Sequence, residues 1–251
     1  MNSATFIEWN GVSVLRPDRE EVVLDSVDWQ IREGEWWVVE GGHGSGKSHL
    51  LQGLAGLIPL SGGTVTVRGE LILPEAQKPT GWRKSIGLVF EGGGRLFRDM
   101  TVAENIALPL AYHQDCSLET AFDRVASLIH ALDLDRLVDV PAGRIGRSWA
   151  QRVALARTLS LEPELLLVDH PVAGMDPHHL EWWRKFLAQW VAGHPDLGGI
   201  PRTLVLTTDD LQPWLAPGRL FARVYDHRFY SLGGASQVLD SKPAPASTRL
   251  T

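Results

Sequence analysis

The eight residues GGHGSGKS, Gly41 to Ser48, follow an apolar strand-like run, EWWVVE, and lead directly into a helical pattern, KSHLLQGLAGL, that stops at Pro59. No other feature constrains the fold as much. A strand that ends in glycines and opens a helix leaves unpaired backbone N–H groups at the helix N-terminus, where they and the helix dipole gather an anion. Gly41, Gly46, Lys47 and Ser48 have the phosphate-loop spacing, with Lys47 placed for terminal phosphates and the Ser48 hydroxyl for Mg²⁺. A merely flexible glycine turn would not need a strand before it and a helix after it. The candidate phosphate cradle is therefore Gly41, Gly42, His43, Gly44, Ser45, Gly46, Lys47 and Ser48, with His49 in the first helical turn.

The rest of the chain alternates in a way that fits such a loop. The runs ATFIEW and EVVLDSVDWQI predict strands near the N-terminus, and GTVTVRG and SIGLVF predict two more. A mostly helical stretch follows from about Thr101 to Ser160, including SLETAFDRVASLIHAL, in which Ser117 and Glu119 start a capped helix. Then ELLLVD and RTLVLTT, short and continuously apolar, read as fully buried parallel strands. Strands on both sides of a helical insert predict an α/β core with an inserted helical subdomain. The tryptophan pairs Trp36-Trp37 and Trp182-Trp183 read as packing on a strand and a helix. Asp169, ending ELLLVD, is the carboxylate expected to join Ser48 at Mg²⁺.

Charge and cysteine content narrow the setting. A net charge of −6 without a basic stripe argues against a nucleic-acid surface. The single cysteine, Cys116, forms no internal disulfide, and no run of 18 apolar residues occurs. These features predict a cytoplasmic chain whose membrane role needs a partner. The Pro/Ala/Ser-rich tail from Ser241, residues 241–251, is expected to be disordered.

The phosphate loop, SIGLVFE, QRVALARTL, LLLVD, AGMD and LVLTTDD, in this order and spacing, resemble the nucleotide-binding subunit of an ABC transporter. The likeness covers roughly residues 5 to 233. It implies a P-loop NTPase (RecA-like) core with N-terminal antiparallel strands, the ABC ATPase fold. It also implies ATP and Mg²⁺ as cofactors and one nucleotide-binding domain over 1–240. In that domain the core spans about 1–91 and 161–233, and the helical subdomain about 92–160. Within the family, VFEGGGRLFRDMTVAENIALPL, Val89 to Leu110, is similar to the ATPases of Mla/Mce-type lipid transport systems.

Several positions depart from the family pattern. The glutamate that polarises water after the strand-ending aspartate is His170, and the histidine that contacts the γ-phosphate after LVLTT is Asp209. The exchange suggests a swapped hydrogen-bonded pair, with independent change after loss of catalysis as the alternative. The glutamine near Mg²⁺ and water is Glu91, a candidate metal ligand or substitute base. The small residues of the LSGGQ loop are replaced in Ile145-Gly146-Arg147-Ser148-Trp149. The adenine-stacking aromatic falls near Arg16, whose guanidinium plane could stack or simply be exposed. His178 and His179, adjacent on a helix, should diverge rather than share a metal.

The resemblance implies a head-to-tail homodimer or heterodimer of nucleotide-binding domains, consistent with Asp176 in AGMD. It further implies a transmembrane permease engaged through Arg95–Met100, a peripheral place on the inner face of the membrane, and in the lipid systems an Mce-type substrate-binding subunit. The intact loop argues for retained ATP binding, and His170 and Asp209 argue for weakened or absent hydrolysis. Two other readings stay open: a soluble ATP-gated regulatory or scaffold protein, and a soluble P-loop kinase or hydrolase.

Overall fold

The computed structural model describes residues 3–18, 21–72 and 81–240. The tail expectation for 241–251 lies outside them. The described chain divides into two units, the first holding residues up to 72 and from 205 onward, the second those from 81 to 204.

In the first unit, β1 (Thr5–Leu15) and β2 (Val22–Arg32) form an antiparallel pair with Ile7 opposite Ile31, Trp9 opposite Trp29 and Val12 opposite Val27. Inward residues Ile7, Trp9, Val12 and Val14 are at most 1% exposed, which fixes the register because a one-residue slip would send them to the other face. The first strand runs six residues beyond ATFIEW. It passes through Asn10-Gly11 by a bulge that Gly11 permits at φ 65°, its N–H donating to Asp28 Oδ1 at 2.7 Å. Short strands β4 (Leu60–Ser61), β5 (Thr64–Val67) and β6 (Glu70–Ile72) complete this sheet in the order β2-β1-β5-β6, with β4 also on β1.

Four further strands carry the loop. β3 (Trp36–Glu40) lies parallel to β10 (Arg219–Tyr225), which turns back into β11 (Arg228–Gly234). β9 (Thr203–Thr208), fully buried, neighbours β3. Arg219 is held by the Trp214 carbonyl at 2.7 Å and lies 3.6 Å from the Trp36 ring centroid, while Arg223 bonds Glu40 at 2.7 Å. Helix α1 (Lys47–Leu54) buries Leu50, Leu51 and Leu54, each worth about 2 kcal/mol as area removed from water. It ends before Pro59 because Gly56 leaves the helix at φ 66°. The chain closes with α6 (Ala235–Asp240).

The second unit pairs β7 (Ile86–Val89) and β8 (Leu165–Val168) in parallel, Ile86 beside Leu165 and Val89 beside Val168. Helices α2 (Val102–Gln114), α3 (Leu118–Ala131) and α4 (Arg147–Leu159) fill the stretch read as helical, and α5 (Pro177–Ala192) follows β8. Their starts are specified locally. Thr101 and Glu104 form a reciprocal capping box, Ser117 accepts from the Thr120 N–H, and Asp176 accepts from the N–H groups of His178 and His179. Among the described residues no helix is long and apolar enough to cross a membrane.

Candidate functional site

The loop after β3 is shaped for an anion. Gly44 and Gly46 adopt φ 76° and 104°, conformations that L side chains rarely take, and Gly46 lies against Val23 and Leu24. Gly41 has no room for a side chain: an added β-carbon would stand 2.5 Å from Ser45 Oγ and 2.8 Å from the Val224 carbonyl. Ser45 Oγ is itself buried without a hydrogen-bond partner among the described residues. An orphaned hydroxyl, a glycine-lined concavity and the start of α1 fit a phosphate group. Gly41→Ala should therefore displace the loop and weaken ATP binding about ten- to a hundredfold, the effect of a 1–3 kcal/mol steric penalty. Nucleotide titration checks this, and an affinity within twofold of wild type would contradict the crowding.

Lys47 occupies the centre. It is 7% exposed, and its ammonium donates to the Gly41 carbonyl at 2.6 Å, the Gly42 carbonyl at 2.9 Å and Asp209 Oδ1 at 2.8 Å. Asp209 follows β9, whose Thr208 carbonyl accepts the Gly41 N–H at 3.2 Å, so the strand end and the loop are tied together. Ser48 and His49 are half-buried on α1. Arg16 pairs with Glu21 at 3.7 Å, and its Nε is buried with no partner among the described residues.

The remaining candidates lie in the second unit. Asp169, 5% exposed, ends β8 with its N–H bonded to the Val89 carbonyl at 2.8 Å. His170 takes a left-handed conformation, φ 45°, which histidine tolerates better than most residues. Glu91 is exposed on a single turn, Glu91–Gly93, after β7. Arg147 opens α4, and its guanidinium is 4.0 Å from where β-carbons would stand on Gly92 and on Gly174. One turn on, Arg152 is 1% exposed between two indoles, 4.6 Å from the Trp149 centroid and 3.8 Å from that of Trp182. Asp133 links this stack, accepting from Trp182 Nε1 at 2.8 Å and facing Arg152 at 3.5 Å. Burial pulls the Arg152 guanidinium below its ordinary pKa, with Asp133 and Asp176 opposing.

The expectation that His178 and His179 diverge needs correction. Their ring nitrogens and a carboxylate oxygen of Asp176 lie within 4.8 Å of one another. The cause is the helix cap: His179 Nδ1 turns back to Asp176 Oδ2 at 2.7 Å while Oδ1 takes two backbone N–H groups. These bonds, the His179 N–H first, hold the Asp176 carboxyl below the usual carboxylate range. The same donors already satisfy the carboxylate, and the positive end of α5 opposes a cation there.

Residues 24–173, which contain the phosphate loop, Glu91, Asp169 and His170, match the ABC transporter family. The chain belongs to that family, as its ATP-binding domain. A sulfate/thiosulfate import ATP-binding protein of Shewanella oneidensis is 32% identical over 228 residues, 89% of this chain and 61% of that protein. A lipoprotein-releasing system ATP-binding protein of Caulobacter vibrioides is 32% identical over 161 residues, 63% of this chain and 68% of that one. The ATP-binding cassette MJ0796, solved as a dimer in a post-hydrolysis state bound to ADP and phosphate, is 25% identical with a TM-score of 0.75. That match covers 91% of this chain and 99% of the cassette. The chain spans 55% to 61% of the length of the first curated relatives it matches. ABC ATP-binding domains use ATP with Mg²⁺, and the cradle around Lys47 fits the phosphates of that cofactor.

In this ABC domain one buried residue unnoticed in the sequence shapes the segment Arg95–Met100. Asn105, fully buried on α2, accepts from the Phe97 N–H at 2.9 Å and donates to the carbonyls of Phe97, Met100 and Thr101. Arg157 caps the other side through the Arg95 carbonyl at 2.9 Å. The loop so held displays Phe97, 56% exposed. Nothing in the spacing of TVAENIALPL distinguishes Asn105 from an ordinary helix residue.

Proposed function

We propose that the chain is the ATP-binding subunit of an ABC transporter that moves lipid or another hydrophobic cargo, with ATP binding retained and hydrolysis weakened. The observation that carries the reading is Lys47: the ammonium that should hold the terminal phosphates is buried in an intact loop, yet a carboxylate stands on it at 2.8 Å. By the family resemblance, Lys47 serves the phosphates, Ser48 and Asp169 serve Mg²⁺, and Arg16 lies at the adenine. His170 takes the place of the water-polarising carboxylate, and Glu91 stands by as a further acid. Loss of a positioned base reduces rate by about 10²–10⁴ without removing the binding donors.

Lipid as cargo rests on the segment Val89–Leu110 and its likeness to Mla/Mce-type ATPases. The rigid, exposed Phe97 loop supports Arg95–Met100 as the permease contact. The assembly proposed is a homodimer or heterodimer of nucleotide-binding domains beneath a permease on the inner face of the membrane, with an Mce-type substrate-binding subunit. The test is steady-state Mg-ATP turnover of the membrane complex isolated through this chain, wild type against Lys47→Ala. The expected result is an equal low rate for both, with bound nucleotide retained by wild type alone. A substantial wild-type rate abolished by Lys47→Ala would show that this site hydrolyses ATP.

A further inference from the structure

We propose that Asp209 is a specificity-determining residue that weights the phosphate loop toward nucleoside diphosphate over triphosphate. The inference rests on the nucleotide-binding reading above and says which form of the nucleotide the site prefers.

An ammonium has three hydrogens, and Lys47 spends all three, on the carbonyls of Gly41 and Gly42 and on Asp209. An incoming phosphate oxygen must displace one of these acceptors. The two carbonyls belong to the loop backbone. Asp209, with its side chain 47% exposed, is the acceptor that can swing aside. Its backbone cannot retreat with it. The preceding residue is bonded to the loop through Gly41 N–H and the Thr208 carbonyl, and the following turn is fixed by Thr208 Oγ1 with Asp210 and by Asp210 Oδ1 with the Gln212 N–H. The carboxylate therefore stays beside the phosphates after displacement.

Geometry bounds how near it stays. The carboxylate starts 2.8 Å from the ammonium, and with its backbone held it can move away from an incoming phosphate oxygen only by the swing of its own short side chain. The displacement itself is common to diphosphate and triphosphate. The third phosphate adds a further negative group to the same neighbourhood, and its repulsion from Asp209 falls on the triphosphate alone. With the carboxylate about half in water, screening limits the discrimination to about tenfold.

The experiment is calorimetric titration of the full chain with ATP and with ADP, each with Mg²⁺, on wild type, Asp209→Asn, Asp209→Ser, Asp209→Glu and Asp210→Asn. Wild type should bind ADP about tenfold more tightly than ATP. Asp209→Asn and Asp209→Ser, which remove the charge by different routes, should bring the two affinities together, mainly by tightening ATP. Asp209→Glu and Asp210→Asn should keep the wild-type ratio. Equal tightening of both nucleotides by Asp209→Asn would mean simple competition for Lys47 and overturn the proposal. Weakened ATP binding by the same variant would make Asp209 a Mg²⁺ ligand and overturn it as well. Failure of every variant to bind either nucleotide would overturn the nucleotide-binding reading, and this inference with it.

Discussion

His170→Glu combined with Asp209→His should raise single-turnover ATP hydrolysis of the complex by about 10²-fold, the lower end of what a positioned general base contributes. Two separate repairs are combined. Glutamate at 170 supplies a carboxylate after Asp169, where the family polarises water. Histidine at 209 removes the negative charge that Lys47 now holds at 2.8 Å and offers a neutral or cationic donor in its place. The single variants should each recover less than the pair, because groups that act on one transition state are not additive. The upper end of the range is out of reach while Arg147 and Trp149 keep their bulk in the segment that replaces LSGGQ. An unchanged rate in the double variant would place the deficit in that segment and not in the acid and imidazole positions.

Asn105→Ala should lower the melting temperature by about 5–10 °C. The side chain is fully buried and joins one N–H and three carbonyls. Removing it leaves the Phe97 N–H without its acceptor and takes one of the donors from each of three carbonyls, which keep a backbone N–H. The expected loss is about 2–4 kcal/mol, since partly wetted groups recover some bonding to water. Asn105→Asp is a sharper control. It keeps the shape and the Phe97 bond but turns an amide that donates to three carbonyls into a carboxylate that repels them, so it should melt no higher than Asn105→Ala. Thermal unfolding followed by circular dichroism measures both. A melting temperature within about 1 °C of wild type for Asn105→Ala would show that water replaces the network at no loss.

What could be read in the sequence was local. The phosphate loop, the fully buried β8 and β9, and the cap at Ser117 are specified by residues within a few positions of one another. The hairpin of β10 and β11 escaped notice because its turn uses Asp226 and His227 at positive φ, where a glycine would have marked it. The pairing of Lys47 with Asp209 joins residues 162 apart, and no spacing rule reaches that far. Sequence comparison with the family suggested instead that Asp209 answers to His170. The two belong to different units, and that pairing stays a proposal beside the contact with Lys47.

The stack of Trp149, Arg152 and Trp182 has a mechanical meaning. In the segment standing for LSGGQ, the first turn of α4 is bolted through one guanidinium to the first turns of α5, and Trp149 also meets His179 edge-on at 5.8 Å. His179 in turn is latched to Asp176 at the start of α5. A push on Trp149 from outside is passed through rings and ion pairs to the AGMD turn without any backbone having to bend. Where small residues would have left a soft surface that moulds itself to a neighbour, this chain has a stiff corner, and a partner must arrive already shaped to it.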